Sequence, residues 1–306
     1  MPAPASTDRI EGRTPLQLAG ARIRRDKVSL ACALFIVFLV VVAVFAPLFC
    51  RLIGQDPYTQ DRGKNGLSID GVPVGPSSHH WLGTDEVGRD VLARIIYGAR
   101  VSLEVGLAAT VVAVLLGLVI GMLAGFYGGR TDTFLSRSMD VILSFPFVLT
   151  ALSVVAVTGP KLIVTIIVIS FFTWSSVGRI VRGQVLSLRE REFVEAARSL
   201  GASNMRIMVV DVLPNLVAPL IVYSTLLIPI NIVSEATLSF LGLGVPIPTA
   251  TWGEMLSNAS GLYQVAWWYL VFPSVALLLT TLSFNLLGDG LRDALDPRAD
   301  RVLAKR

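Results

Sequence analysis

Apolar residues along this chain fall into six runs: Val28 to Cys50, Val101 to Tyr127, about Val141 to Val157, Leu162 to about Val177, Leu216 to about Leu241, and Val265 to Leu287. A helix needs about 20 apolar residues to cross the hydrocarbon core of a bilayer. Four runs reach that length. The third and fourth are shorter, and the Thr158-Gly159-Pro160-Lys161 turn between them predicts an antiparallel helical pair. The first run follows Arg22, Arg24, Arg25 and Lys27, as an export signal would. It is longer than a secretory core, and Phe49 is too bulky to precede a cut at Cys50, so it is read as a retained span. The predicted fold class is all-α: a polytopic membrane protein with about six transmembrane helices.

Composition agrees, since 53% hydrophobic against 16% charged residues is too apolar for a soluble domain. Of 306 residues, only Cys32 and Cys50 are cysteines. On one continuous helix they would stand about 27 Å apart, beyond the roughly 7 Å limit for a disulfide. The net charge of +4 becomes informative only by position. Lys and Arg favour the cytoplasmic side of spans. With the N-terminus inside, that side collects Arg22, Arg24, Arg25, Lys27, Arg130, Arg137, the 179–206 arginines and the basic C-terminus, while fewer remain outside. Both termini are thus expected in the cytoplasm, and the basic pI owes nothing to nucleic acid. Trp267, Trp268 and Tyr269 would then lie at the external headgroup level.

The expected organisation is a cytoplasmic tail (1–27), a first span (28–50), an external loop with an amphipathic helix (51–100), a five-span core (101–288) enclosing a cytoplasmic loop (179–214), and a cytoplasmic tail (289–306). Gly117, Gly121 and Gly125 form a small-residue stripe that lets a neighbouring helix approach closely. Pro146, Pro219, Pro229 and Pro273 lie in apolar runs and should bend or break them. No GxxxxGK[ST] phosphate loop occurs, so the chain supplies no ATP site of that kind.

The loop SLREREFVEAARSLGASNMRIMVVDVLPN, Ser187 to Asn215, carries most functional information. Ser187 and Glu190 have capping-box spacing, Phe193, Ala197 and Leu200 share a face, and Arg191 and Glu195 form an i,i+4 pair. Gly201 can end this helix in the left-handed region. A second short helix with Met205, Met208, Val209 and Val212 on one side follows, before Pro214 opens the next span. An interfacial amphipathic loop would look similar. Glu195-Ala196-Ala197, then Gly201, then Leu213-Pro214, however, resemble the EAA signature of ABC importer permeases. The resemblance implies that about Glu190 to Arg206 is a coupling helix docking on a cytoplasmic ATPase, with Glu190, Phe193, Glu195, Ala196, Ala197, Gly201, Arg206, Leu213 and Pro214 as its residues. Asp211 departs from the signature, at a position often apolar.

GTDEVGRDVLARIIYGARVSL (Gly83 to Leu103) has an apolar face of Val91, Leu92, Ile95, Ile96 and Ala99, with Arg89, Asp90, Arg94 and Arg100 polar. On residues alone it is a surface helix. Its wording is similar to peptide and nickel-type ABC permeases, as are Ser239 to Gly244 and Thr251 to Leu256. The resemblance spans about residues 28 to 295 and implies a C-type permease subunit of an oligopeptide or dipeptide importer, with nickel or oligosaccharides as alternative cargo. It also implies a second homologous permease, one or two ATPases carrying ATP and magnesium, and an external substrate-binding protein.

Among remaining polar groups, Glu235 and Asn231 in the fifth run are candidates for the passage or its gate; Glu235 could equally brace helices through Asn231 and Ser234. As an ion-coupling group it would define the rival class, a self-sufficient secondary transporter. Asp140 is expected to pair with Arg137, and His79 and His80 to be solvent-exposed, with no acidic or thiol cluster to complete a metal site. The Gly/Pro-rich stretch from Arg51 to His80 reads either as a contact for a binding protein or as disorder. No nucleophile and base are paired as an enzyme would require.

Overall fold

The computed structural model describes residues 26–61, 63 and 65–295, so most of both basic tails, with Arg62 and Lys64, lies outside the described residues. The chain folds as helices: α1 (Lys27–Val44), α2 (Ala46–Ile53), α3 (Val91–Tyr127), α4 (Gly129–Ser144), α5 (Phe147–Thr158), α6 (Leu162–Leu188), α7 (Glu192–Ser199), α8 (Asn204–Phe240), α9 (Trp252–Ala259) and α10 (Trp267–Leu295). Five of them (α1, α3, α6, α8 and α10) are long and apolar enough to cross a membrane, and α4 with α5 makes a sixth, broken span.

The first apolar run is two helices rather than one. Asp26 caps α1 by accepting from the Val28 and Ser29 amides, and the helix stops at Phe45 because Pro47 starts a new one. Cys50 therefore sits buried on α2, accepted by the Ala93 carbonyl at 3.9 Å. Burial pushes its thiol up to about 11, and both cysteines are free.

The amphipathic segment before the second run is likewise no separate surface helix. Asp90 caps α3 through the Ala93 amide at 2.8 Å, and α3 continues for 37 residues to Tyr127. Pro146 breaks the third run, bending α4 against α5 by 83°, whereas Pro219, Pro229 and Pro273 stay inside α8 and α10. The fourth run also outlasts its apolar stretch: α6 carries Arg179 and Arg182 within its last turns.

Helix α3 is the central strut, packed against α6 and α8, while α10 packs on α8 and α1. The glycine stripe sets the α3–α6 contact. A Cβ on Gly117 would lie 2.5 Å from Val177 Cβ, one on Gly121 2.5 Å from the Gly178 carbonyl oxygen, and one on Gly125 2.8 Å from Val185 Cβ. Only hydrogen fits at these three positions.

At one end of the bundle, residues 55–90 and α9 wrap the start of α3 around a buried charged network. Arg94 is fully buried, with Nη2 2.7 Å from Glu254 Oε2 and Nε 3.3 Å from Asp85 Oδ2. Arg89 Nε donates to Asp85 Oδ2 at 2.6 Å and its Nη2 to Glu86 at 2.9 Å. Burial holds the Glu254 carboxyl above its ordinary range, against the opposing pull of Arg94. Four expectations change here. His80 is buried, its Nδ1 2.8 Å from Asp90 Oδ2, and only His79 is exposed. Arg89, Asp90 and Arg94 face inward. Trp268 and Tyr269 are buried too, Trp268 Nε1 donating to the Thr84 carbonyl at 3.2 Å, leaving Trp267 exposed. The 51–80 stretch, where described, is held by turns and bridges such as Leu67 to Pro73.

Candidate functional site

The opposite end of the bundle carries the 189–212 connection. Helix α6 runs through Ser187, so no capping box forms there; Arg191 is the N-cap of α7, without a side-chain bond. After Ser199 the Gly201 amide donates to the Arg198 carbonyl and the Ala202 amide to the Ala197 carbonyl at 3.0 and 3.1 Å. These crossed bonds are a Schellman motif, which needs a left-handed residue after the cap; Gly201 supplies it at φ 80°. Ser203 then caps α8, accepting from the Arg206 amide. The Ile207–Val212 turn of α8 is π-helical and runs on into the span past Pro214 without interruption, so the second short helix is the first turns of α8.

The apolar face of this segment is not the one the spacing predicts. Val194 is the buried anchor, in one cluster with Ile207, Met208, Val212 and, from the bundle, Phe126, Val181 and Val185, with Ala197 against it. Phe193, Leu200 and Met205 point out, with 41%, 89% and 65% of their surfaces exposed. Met208 and Val212 are buried as a pair, but Met205 and Val209 are not. Glu190, Glu195, Ala196, Gly201 and Arg206 share this exposed end, whereas Leu213 and Pro214 lie at the start of the transmembrane part of α8. Arg189 was not singled out by the sequence, yet its Nη1 donates to the Gly125 carbonyl at 3.1 Å, tying the loop to α3. Arg182 clamps Asp132 of α4 with two bonds, Nη2 to Oδ2 at 2.7 Å. Asp140 pairs more closely with Arg179 (2.9 Å) than with Arg137 (3.7 Å).

Inside the bundle Glu235 and Asn231 belong to separate networks. Glu235 is fully buried and accepts from Ser102 and Ser239, each at 2.7 Å; neither Asn231 nor Ser234 braces it, and Ser234 bonds the Ile230 carbonyl. Asn231 Nδ2 donates to Thr110 at 2.8 Å and its Oδ1 accepts from Thr173 at 3.0 Å, linking α8 to α3 and α6. Nothing in the sequence marked Ser102, Thr110 or Thr173, since hydroxyls in spans usually bond their own helix.

Residues 117–301 match the family described as binding-protein-dependent transport system inner membrane component, and residues 14–68 match the N-terminal TM domain of oligopeptide transport permease C. The dipeptide transport system permease protein DppC of Alkalihalophilus pseudofirmus is 40% identical over 97% of this chain and 94% of its own length. The glutathione transport system permease protein GsiD of Escherichia coli is 43% identical over 94% of this chain and 91% of its own. In fold, the chain resembles inward-facing structures of the MetNI methionine ABC transporter. One chain of the native crystal form superposes with a TM-score of 0.55 at 16% identity, covering 67% of this chain and 97% of that one. The family match, the near full-length relatives and the helical architecture together establish that this chain belongs to the inner-membrane permeases of binding-protein-dependent ABC importers, in the oligopeptide permease C branch.

Proposed function

We propose that the chain imports di- or oligopeptides as one half of a membrane pathway completed by a second, related permease. One or two cytoplasmic ATPases, which hold the ATP and magnesium, drive it through the 190–206 segment, and an external binding protein delivers cargo. Both termini and the 190–206 segment face the cytoplasm in this reading. The observation that carries it is the exposed apolar tip of Phe193, Leu200 and Met205 on a turn fixed by Val194 and Gly201. Such residues bury themselves in a partner's groove, as helix-in-groove recognition does. Peptide cargo is favoured by the dipeptide and glutathione permeases among the relatives. The ion-coupled rival needs Glu235 within reach of water, yet that side chain is fully enclosed and doubly hydrogen-bonded.

The test is gentle purification of the chain from its native membrane, identification of what stays bound, and ATP-driven peptide uptake in liposomes. A co-purifying permease and ATPase, with Leu200→Asp abolishing uptake while leaving ATP hydrolysis, is the expected result. Uptake by the chain alone on an ion gradient, lost in Glu235→Gln, would overturn it.

A further inference from the structure

Charges along the spans are for the most part paired: Glu235 accepts from Ser102 and Ser239, Arg182 clamps Asp132, and Arg179 meets Asp140. Arg100 and Glu104 on α3 differ. Both are exposed, and neither makes a hydrogen bond or an ion pair among the described residues, not even with the other one turn away. A base placed N-terminal to an acid is the weaker order for such a pair within one helix.

The two charges border a cleft of about 260 Å³ whose wall is otherwise Val40, Ala43 and Val44 of α1 with Leu103 and Leu107 of α3. This cleft fixes their depth. Val44 ends α1, about 25 Å from Lys27 at the usual rise, so the pair sits at the scaffold-side edge of a hydrocarbon core about 30 Å thick. Glu104 is the deeper of the two by about 6 Å. Deeper still, Leu107, Val111, Leu115 and Val119 continue the same exposed stripe. Lipid tails accept these apolar side chains but not the carboxylate. Side chains on α3 lean toward its N-terminus, which lets Arg100 reach a lipid phosphate. Glu104 ends a turn below, where a headgroup offers no cation, because its ammonium lies no deeper than its phosphate. A protein helix with a base at that depth satisfies both.

We infer that this stripe is a contact between two copies of the chain, related by a two-fold axis along the membrane normal. Such a contact must be self-complementary. A base followed one turn later by an acid meets that condition, since Arg100 of each copy faces Glu104 of the other. Parallel coiled coils pair charges across a similar offset, and the i, i+4 row from Leu107 to Val119 supplies a ridge for helix packing. In the reading above each importer holds one copy, so the contact joins two importers and leaves the 190–206 segment free.

The experiment uses native membranes holding the whole complex, with Cys32 and Cys50 replaced by serine. Leu107→Cys on the stripe and Leu278→Cys on the exposed face of α10 are oxidised with copper phenanthroline. Leu107→Cys should give a disulfide-linked pair of chains and Leu278→Cys only the background of chance collisions. Adding Arg100→Glu sets acid against acid and should lower the yield about tenfold, the usual weight of a polar contact between spans. Arg100→Glu together with Glu104→Arg should restore it. Equal yields at positions 107 and 278 would overturn the contact in favour of a lipid-facing stripe, and an adduct to a different protein would overturn it in favour of another subunit's seat. A yield indifferent to Arg100→Glu would overturn the charge pairing and the two-fold contact with it. Where Arg100→Glu does not reach the membrane, Glu104→Arg, which sets base against base, takes its place.

Discussion

The two ends of this bundle solve opposite problems. The end built from residues 55–90, α9 and the start of α3 buries its charges and pairs them with one another: Arg94 meets Glu254 and Asp85, Arg89 meets Asp85 and Glu86, and His80 meets Asp90. The 190–206 end leaves Phe193, Leu200 and Met205 uncovered while keeping only Val194 and its neighbours inside. A surface that completes its own contacts is a scaffold. One that leaves apolar side chains out on a rigid turn is the docking surface of the proposed reading.

The largest effect that would separate these roles comes from the scaffold. Arg94→Met leaves the Glu254 carboxylate without its close cation in a buried site, while Asp85 keeps Arg89, and breaking such a pair costs about 3–5 kcal/mol. Thermal unfolding of the purified complex should show a clear fall, and an unchanged melting temperature would mean that the network contributes no stability. Next, Gly121→Leu drives a side chain into the Gly178 carbonyl and Val181. Overpacking of this kind costs about 1–3 kcal/mol, and it should lower the yield of folded subunit in the same melts. Gly201→Val forces a β-branched residue to φ 80°, which costs about 1–2 kcal/mol; limited proteolysis should open the 190–206 connection before the rest. The smallest stability effect belongs to the docking tip. Leu200→Asp should shift stability by less than about 0.5 kcal/mol, as exposed substitutions do, yet ATP-driven uptake should disappear. If Leu200→Asp destabilised the chain as much as Arg94→Met, the contrast between scaffold and docking tip would fail.

Much of this was readable from residue order because it depends on local chemistry. Pro146 breaks its run, Gly201 stops α7, and the spacing of Gly117, Gly121 and Gly125 marks a close helix contact. What was hidden depended on distant partners. Arg94 looks like a surface residue until Glu254, 160 positions later, is placed beside it. His80 looks like loop decoration until Asp90 closes on it. The capping spacing of Ser187 and Glu190 is locally sound, but α6 continues through it because Val185 and Val181 have glycine surfaces to pack against. Likewise Phe193 and Leu200 share a helical face that the described residues leave largely uncovered, while Val194, lodged among charges, holds the segment down.

Helix α3 has a mechanical consequence of its own. It is one unbroken rod of 37 residues, about 55 Å at the usual rise, with its first turns locked into the charged scaffold and its last ones held to α6 by three glycines and the Arg189 bond. The same helix thus ties the arginine-rich end to the opposite rim, some 55 Å away, with no break in its hydrogen-bonded backbone through which the two could move apart.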